Sequence, residues 1–162
     1  MERGAIELDG FDRRLLEALQ RDNRQTGEQL AEIAGLSPAA CLRRVQRLRD
    51  AGVIERDVSL LAPEAVGRRL TVIVMVTLQR DSSGRLDVSD RFASQMQQAP
   101  EVTQCYSVTG PADFVVIINI ASMEDYQNFT RRHFYETHIK RYETLVSMGR
   151  MKFETAMPVA GN

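Results

Sequence analysis

Through the first sixty positions apolar residues recur at three- and four-residue steps, whereas from position 70 they form nearly continuous or alternating runs. The first pattern predicts helices and the second predicts strands interleaved with helices. Leu8, Phe11, Leu15, Leu16 and Leu19 mark a first helix, with Asp9 and Asp12 at its front, where carboxylates suit the positive end of the helix dipole. A second helix, barely two turns long, begins at Thr26, with Gln29 placed to reach back in a capping box. Leu30, Ile33 and Ala34 form its apolar face and Gly35 ends it. The third opens at Ser37 as N-cap with Pro38 at the first helical position, and closes at Gly52. A helical wheel puts Cys41, Leu42, Val45 and Leu48 on one side and Ala39, Ala40, Arg43 and Arg47 on the other, with Arg44 on the flank. Two short helices joined through Gly35-Leu36 make a helix-turn-helix, and Val53-Ile54-Glu55 is placed to begin a small β-wing.

Residues 59–69, with Pro63 and Gly67, read as a linker between a helical domain over 1–58 and a second domain over 70–162. Leu70 to Leu78 has the composition of a strand covered on both faces. After a loop at Asp81-Ser82-Ser83-Gly84, Val88, Phe92 and Met96 define a helix that ends before Pro100. Val102 to Thr109 and Phe114 to Ile120 are strands flanking a tight turn, Gly110-Pro111-Ala112-Asp113. Ser122 and Asp125 cap a helix carrying Tyr126, Phe129 and Phe134, and Tyr142 to Phe153 is the last strand. The order βαββαβ is that of an α+β, ferredoxin-like sandwich with both helices on one face of an antiparallel sheet. Val72, Val74, Val76, Val116, Ile118 and Ile120 alternate along these strands, so the uncovered face is expected to carry large apolar side chains and to pair two copies into a homodimer.

Composition narrows the function. With 162 residues, 43% hydrophobic and 27% charged, the chain can bury a core and is not a disordered polymer. Its longest apolar run, near Leu70 to Leu78, is far short of the roughly 20 residues of a bilayer-crossing helix. Met1-Glu2-Arg3-Gly4 opens no secretory segment, so a cytoplasmic, nucleoid-associated protein with no membrane partner is expected. Cys41 and Cys105 read as two buried, reduced thiols, and no zinc spacing occurs.

The net charge of −1 conceals a local patch: between Ser37 and Ala51, Arg43, Arg44, Arg47 and Arg49 stand against Asp50 alone. Small residues at the start of the third helix and arginines behind them suit insertion into the major groove of double-stranded DNA. Ser37, Pro38, Ala39 and Ala40 form the approaching end. Arg43 and Arg47 are placed to read bases or clamp phosphates, Arg44 to hold the backbone, and Ser37 to anchor the helix N-terminus to phosphate. Catalytic chemistry has little support. Glu136 and Glu143 have no partner arrangement, and His133 and His138, five apart, do not share a helix face, so no catalytic residue, metal site or cofactor is expected.

Three segments carry a wider resemblance: the run from Leu8 to Arg24 beginning Leu-Asp-Gly-Phe-Asp-Arg-Arg-Leu-Leu, the run Gly35-Leu36-Ser37-Pro38-Ala39-Ala40-Cys41-Leu42-Arg43-Arg44-Val45-Gln46-Arg47-Leu48, and Gly52-Val53-Ile54. Together they resemble the Lrp/AsnC, or feast/famine, transcription regulators, and the βαββαβ domain is similar to that family's amino-acid-sensing RAM domain. The resemblance implies dimers built through the C-terminal sheets, discs of dimers that are commonly octamers, and small effectors, usually amino acids, bound between dimers. The family's glycine-x-x-aspartate turn matches Gly110 to Asp113, and the same alignment implies that Ser107, Thr109, Val146, Ser147 and Met148 line the effector pocket. An amino acid needs an acceptor for its ammonium, which Asp113 supplies, and donors for its carboxylate, which backbone N–H groups beside Gly110 supply. The same four residues also favour a plain β-turn.

Two departures from the pattern stand out. Arg56-Asp57 replaces a glycine and an aromatic residue, and the charged stretch Phe134 to Arg141 replaces a Leu-Pro-Gly segment, which alters the pocket rim and hence effector choice. A sirohaem-decarboxylase-like enzyme on the same architecture and an effector-independent architectural DNA-binding protein are the alternative readings.

Overall fold

The computed structural model describes residues 6–79, 85–135 and 138–159. The expected loop Asp81 to Gly84, Glu136 and the opening Met1 to Gly4 lie outside them. The chain divides into two compact units, one of residues 1–59 with 152–162 and one of residues 60–151. Within the first unit the Gln20 amide accepts from the Met157 N–H at 2.6 Å and donates to its carbonyl at 3.0 Å.

The first unit contains α1 (Gly10–Arg21), α2 (Gly27–Ala34) and α3 (Pro38–Asp50). Each starts where a side chain satisfies otherwise unpaired N–H groups. Asp9 accepts from the N–H groups of Phe11 and Asp12, Thr26 from Gln29, and Ser37 from Ala40, with reciprocal capping boxes at α1 and α2. Helix α2 ends at Gly35, whose φ of 72° lies in the left-handed region that favours glycine. The helices close over Leu15, Ala18, Leu30, Ala34, Cys41 and Val45. Leu42 departs from the wheel: it is 55% exposed, and a Cβ at Gly27 would lie 3.4 Å from it. Val53-Ile54-Glu55 form no strand. Val53 and Ile54 are half-buried after α3, and Ile54 packs against the helical core.

In the second unit a short 3₁₀ turn, Pro63–Val66, precedes β1 (Leu70–Leu78), α4 (Arg85–Gln98), β2 (Val102–Ser107), β3 (Phe114–Ile120), α5 (Met123–His133) and β4 (Ile139–Val146). The sheet order is β2-β3-β1-β4, with every neighbouring pair antiparallel. Val72, Val74, Val76, Val116, Ile118 and Ile120 all face the helices and pack with Phe92, Met96 and Phe129. The opposite face carries Ile73, Met75, Val115 and Ile117, with Leu145 and Tyr106 beside them. β1 is therefore covered on one face only within a single chain.

β4 begins and ends earlier than the expected Tyr142 to Phe153. Its last pairing is Val146 with Val72, and β1 starts at Leu70, so the chain beyond Ser147 has run out of partner strand. β2 likewise stops at Ser107, before Thr109. Cys105 is half-buried rather than buried, because β2 is an edge strand; burial still raises its thiol pKa. No helix among the described residues is long and apolar enough to cross a membrane.

Candidate nucleic-acid interface and effector cavity

The charges on α3 are not equivalent. Asp12 of α1 is fully buried and collects two arginines from α3: Arg44 at 2.9 Å and Arg47 at 2.6 Å. Arg44 also reaches Asp9 at 2.7 Å, and both it and Arg14 lie over the Phe11 ring. The Asp12 backbone N–H, together with Arg44, holds the Asp9 carboxyl below the ordinary range, and the hydrogen bonds to Asp12 and Asp9 hold Arg44 firmly protonated. Arg49 pairs with Asp57 at 3.0 Å, so one residue of the departing Arg56-Asp57 segment ties the chain after α3 back to the helix. Among the described residues, Arg43 alone of the four α3 arginines faces no carboxylate. Ser37, Pro38 and Ala39 are exposed at the start of the helix and Ala40 is half-buried, which leaves a low-relief, cationic end.

A second feature lies at the end of the sheet where β1 gives out. Thr77, Leu78 and Gln79 of one strand and Gly110 to Asp113 of the β2–β3 turn line a cavity of about 560 Å³ with Lys140. This is within the range of small-molecule sites, about 300–1,000 Å³. The turn is fixed by backbone bonds, Val108 N–H to the Asp113 carbonyl at 3.0 Å and Asp113 N–H to the Val76 carbonyl at 2.9 Å. An Asp113 carboxylate oxygen accepts from the Leu78 N–H at 2.9 Å, and Thr77 donates to the Pro111 carbonyl. Gly110 has φ of 118°, a conformation that favours glycine. Among the described residues nothing accepts the N–H of Gly110 or Ala112.

The cavity therefore brings Gly110 and Asp113 together, but not the other residues assigned to it by resemblance. Ser107 and Thr109 are exposed before the turn. Val146, Ser147 and Met148 leave the opposite end of β4, six or more residues from Lys140, which at about 3.3 Å per residue is roughly 20 Å along the strand. Lys140 was not singled out individually from the sequence, although it lies in the charged stretch that replaces Leu-Pro-Gly.

The histidines are not brought into a common site. His133 stacks on Phe129 with ring centroids 4.6 Å apart, and burial lowers its pKa; His138 is exposed ahead of β4. Glu143 lies 3.6 Å from Arg141 on the strand surface. Among the described residues, no group of three or more His, Cys, Asp or Glu side chains could hold a metal ion.

A capped helix-turn-helix with a cationic second helix, followed in the same chain by a ferredoxin-like unit with a ligand-sized cavity, defines a DNA-binding transcriptional regulator with a ligand-binding domain. Residues 8–55 match the winged helix-turn-helix DNA-binding family and residues 71–157 the Lrp/AsnC ligand-binding domain family. The chain belongs to the Lrp/AsnC family of transcriptional regulators. It is 52% identical over 156 residues to an uncharacterized HTH-type transcriptional regulator of Sinorhizobium fredii, covering 96% of this chain and 90% of that one. It is also 32% identical over 152 residues to a glutamate uptake regulatory protein of Zymomonas mobilis, covering 94% and 91%. A crystal structure of a Neisseria meningitidis transcriptional regulator in complex with L-methionine superposes with a TM-score of 0.86 at 29% identity, covering 94% of this chain and 97% of that one.

Proposed function

We propose that this regulator binds double-stranded DNA as a homodimer or a larger assembly of dimers, and that an amino acid in the Gly110–Asp113 cavity shifts its DNA-binding state. The observation that carries the DNA half is the unpaired cation at Arg43 beside the small, exposed start of α3. In this reading Arg43 reads a base edge or clamps a phosphate and Ser37, Pro38, Ala39 and Ala40 permit close approach. Arg44 and Arg47 position α3 on α1 through Asp12. The effector half is supported by the cavity and by the relative solved with L-methionine.

The apolar open face of Ile73, Met75, Val115 and Ile117 supports pairing of two sheets, and discs up to the octamer follow the family. In such an assembly Ser107, Thr109 and Val146 to Met148 would come to the effector from a neighbouring copy. The protein would act in the cytoplasm, at the nucleoid, and the reading requires no metal, prosthetic group or catalytic residue. An effector works by binding one assembly or DNA-binding state better than another.

The test is a thermal-shift and sedimentation experiment on the full chain with each of the twenty amino acids at millimolar concentration, followed by duplex-DNA binding with any that act. One-site linkage gives about 2.7 kcal/mol of added stability at a hundredfold excess over Kd. A selective shift that also changes DNA affinity is the expected result. No shift with any amino acid would leave an effector-independent DNA binder. A chain that sediments as a monomer would overturn the sheet-paired assembly, and Ile117→Lys should produce that monomer.

A further inference from the structure

Lys140 enters the cavity through an irregularity of the sheet. Along β1 and β4, Thr77 pairs with Arg141 but Leu78 pairs with Ile139, so Lys140 is the residue skipped by the register. A bulge of this kind re-aims a side chain, and bulges are over-represented beside binding sites. Among the described residues the Lys140 ammonium makes no ion pair or hydrogen bond, although it lines the same cavity as Asp113.

We infer that Lys140 is a specificity determinant, selecting effectors that carry a second carboxylate: acidic amino acids rather than neutral ones. This rests on the effector reading of the Gly110–Asp113 cavity. An amino acid brings one ammonium and one carboxylate. Asp113 matches the ammonium, and the N–H groups of Gly110 and Ala112, which no described residue engages, match the α-carboxylate. Lys140 is then left over. Among the described residues no other cation lines the cavity, so a side-chain carboxylate pairs with the exposed lysine in a charge-assisted bond that a neutral side chain cannot make. Discrimination follows because only an acidic effector gains that bond.

The experiment is calorimetric titration of the full-length protein with L-glutamate, L-aspartate, L-glutamine, L-asparagine, L-leucine and L-methionine, repeated on Lys140→Met and Lys140→Glu. The expected result is at least tenfold tighter binding of each acid than of its amide, abolished in Lys140→Met and reversed in Lys140→Glu. Lys140 lies on a bulge at the strand end and faces no core residue in pairing, so thermal melts of both variants should match the parent and certify folding. Equal binding of glutamate and glutamine, or an acid preference that survives Lys140→Met, overturns the role of Lys140 while leaving the effector cavity standing. Binding of none of the six, with the twenty-amino-acid panel also silent, removes the effector reading and this proposal with it.

Discussion

The two units are held together by different physics. The 60–151 unit closes on a continuous apolar core in which Phe129, Ile118, Val74 and Met96 are fully buried between the helices and one sheet face. The helical unit has a smaller apolar cluster and adds a charged centre, the buried Asp12 carboxylate gripped by Arg44 and Arg47. The difference teaches that charge on a recognition helix has two uses. On the proposed reading, arginines that meet a carboxylate hold the helix against its neighbour, and the one that meets none, Arg43, is offered to a partner.

Substitutions in the two units should therefore fail differently. Phe129→Ala removes the largest fully buried side chain of the sheet unit and should cost about 3–5 kcal/mol. All four tyrosines, Tyr106, Tyr126, Tyr135 and Tyr142, lie within residues 60–151, so their near-UV circular dichroism reads that unit alone. A urea midpoint unchanged in that signal would contradict the core assignment. Asp12→Ala should cost about 1.5–3 kcal/mol, the worth of a hydrogen bond to a charged group, because the two arginines can turn to water once released. Faster amide exchange across α1 and α3, with the tyrosine transition unmoved, is the expected pattern. Smaller still is Ser37→Ala, which deletes the α3 cap and should lose about 1 kcal/mol of helix stability, read in the exchange of the first-turn amides of α3.

Acid should also separate the units. Burial depresses the pKa of His133, so its stabilising contribution is complete above about pH 6.5 and declines as pH falls through the lowered folded value. Burial opposes ionisation of Glu101 as well, but Arg132, 2.6 Å away, together with the residue's own backbone N–H and His133 outweighs it and lowers that carboxyl, whose contribution fades at lower pH in the same direction. In the helical unit the depressed groups are Asp9 and Asp22, which act only below about pH 4. Between pH 7 and pH 5 the tyrosine-detected melting temperature should fall while the α1–α3 exchange protection factors stay nearly constant. An equal response of both would remove His133 as the cause.

Legibility in the sequence follows the same division. α2, β1 and β3 were bounded correctly because their signals are local: Thr26 with Gln29, Gly35, and β-branched runs between turn residues. The end of β4 was misplaced because it is set by where β1 begins, seventy-odd residues away in the chain. Asp12 reads locally as a first-turn carboxylate suited to the helix dipole. Its burial beneath Arg44 and Arg47 depends on a packing partner more than thirty residues distant. Lys140 is similar, since a bulge is a property of two paired strands and leaves no mark on either alone. The turn from Gly110 to Asp113 was legible because glycine and aspartate fix it by themselves, whereas its separation from Val146, Ser147 and Met148 is a matter of sheet length.

The central claim, that α3 meets DNA through Arg43 while its other arginines hold the helix in place, is tested most directly by comparing Arg43→Ala with Arg47→Ala. The measurement is duplex-DNA affinity on a sequence selected from a random pool, titrated against salt. Arg43→Ala should weaken binding by about 1–3 kcal/mol, with relaxed selectivity at one position if it reads a base, or a salt slope reduced by about one if it clamps a phosphate. Arg47→Ala should change affinity less and lower the stability of the helical unit more. Unchanged affinity, selectivity and salt slope in Arg43→Ala, with the loss falling on Arg47→Ala instead, would contradict the account.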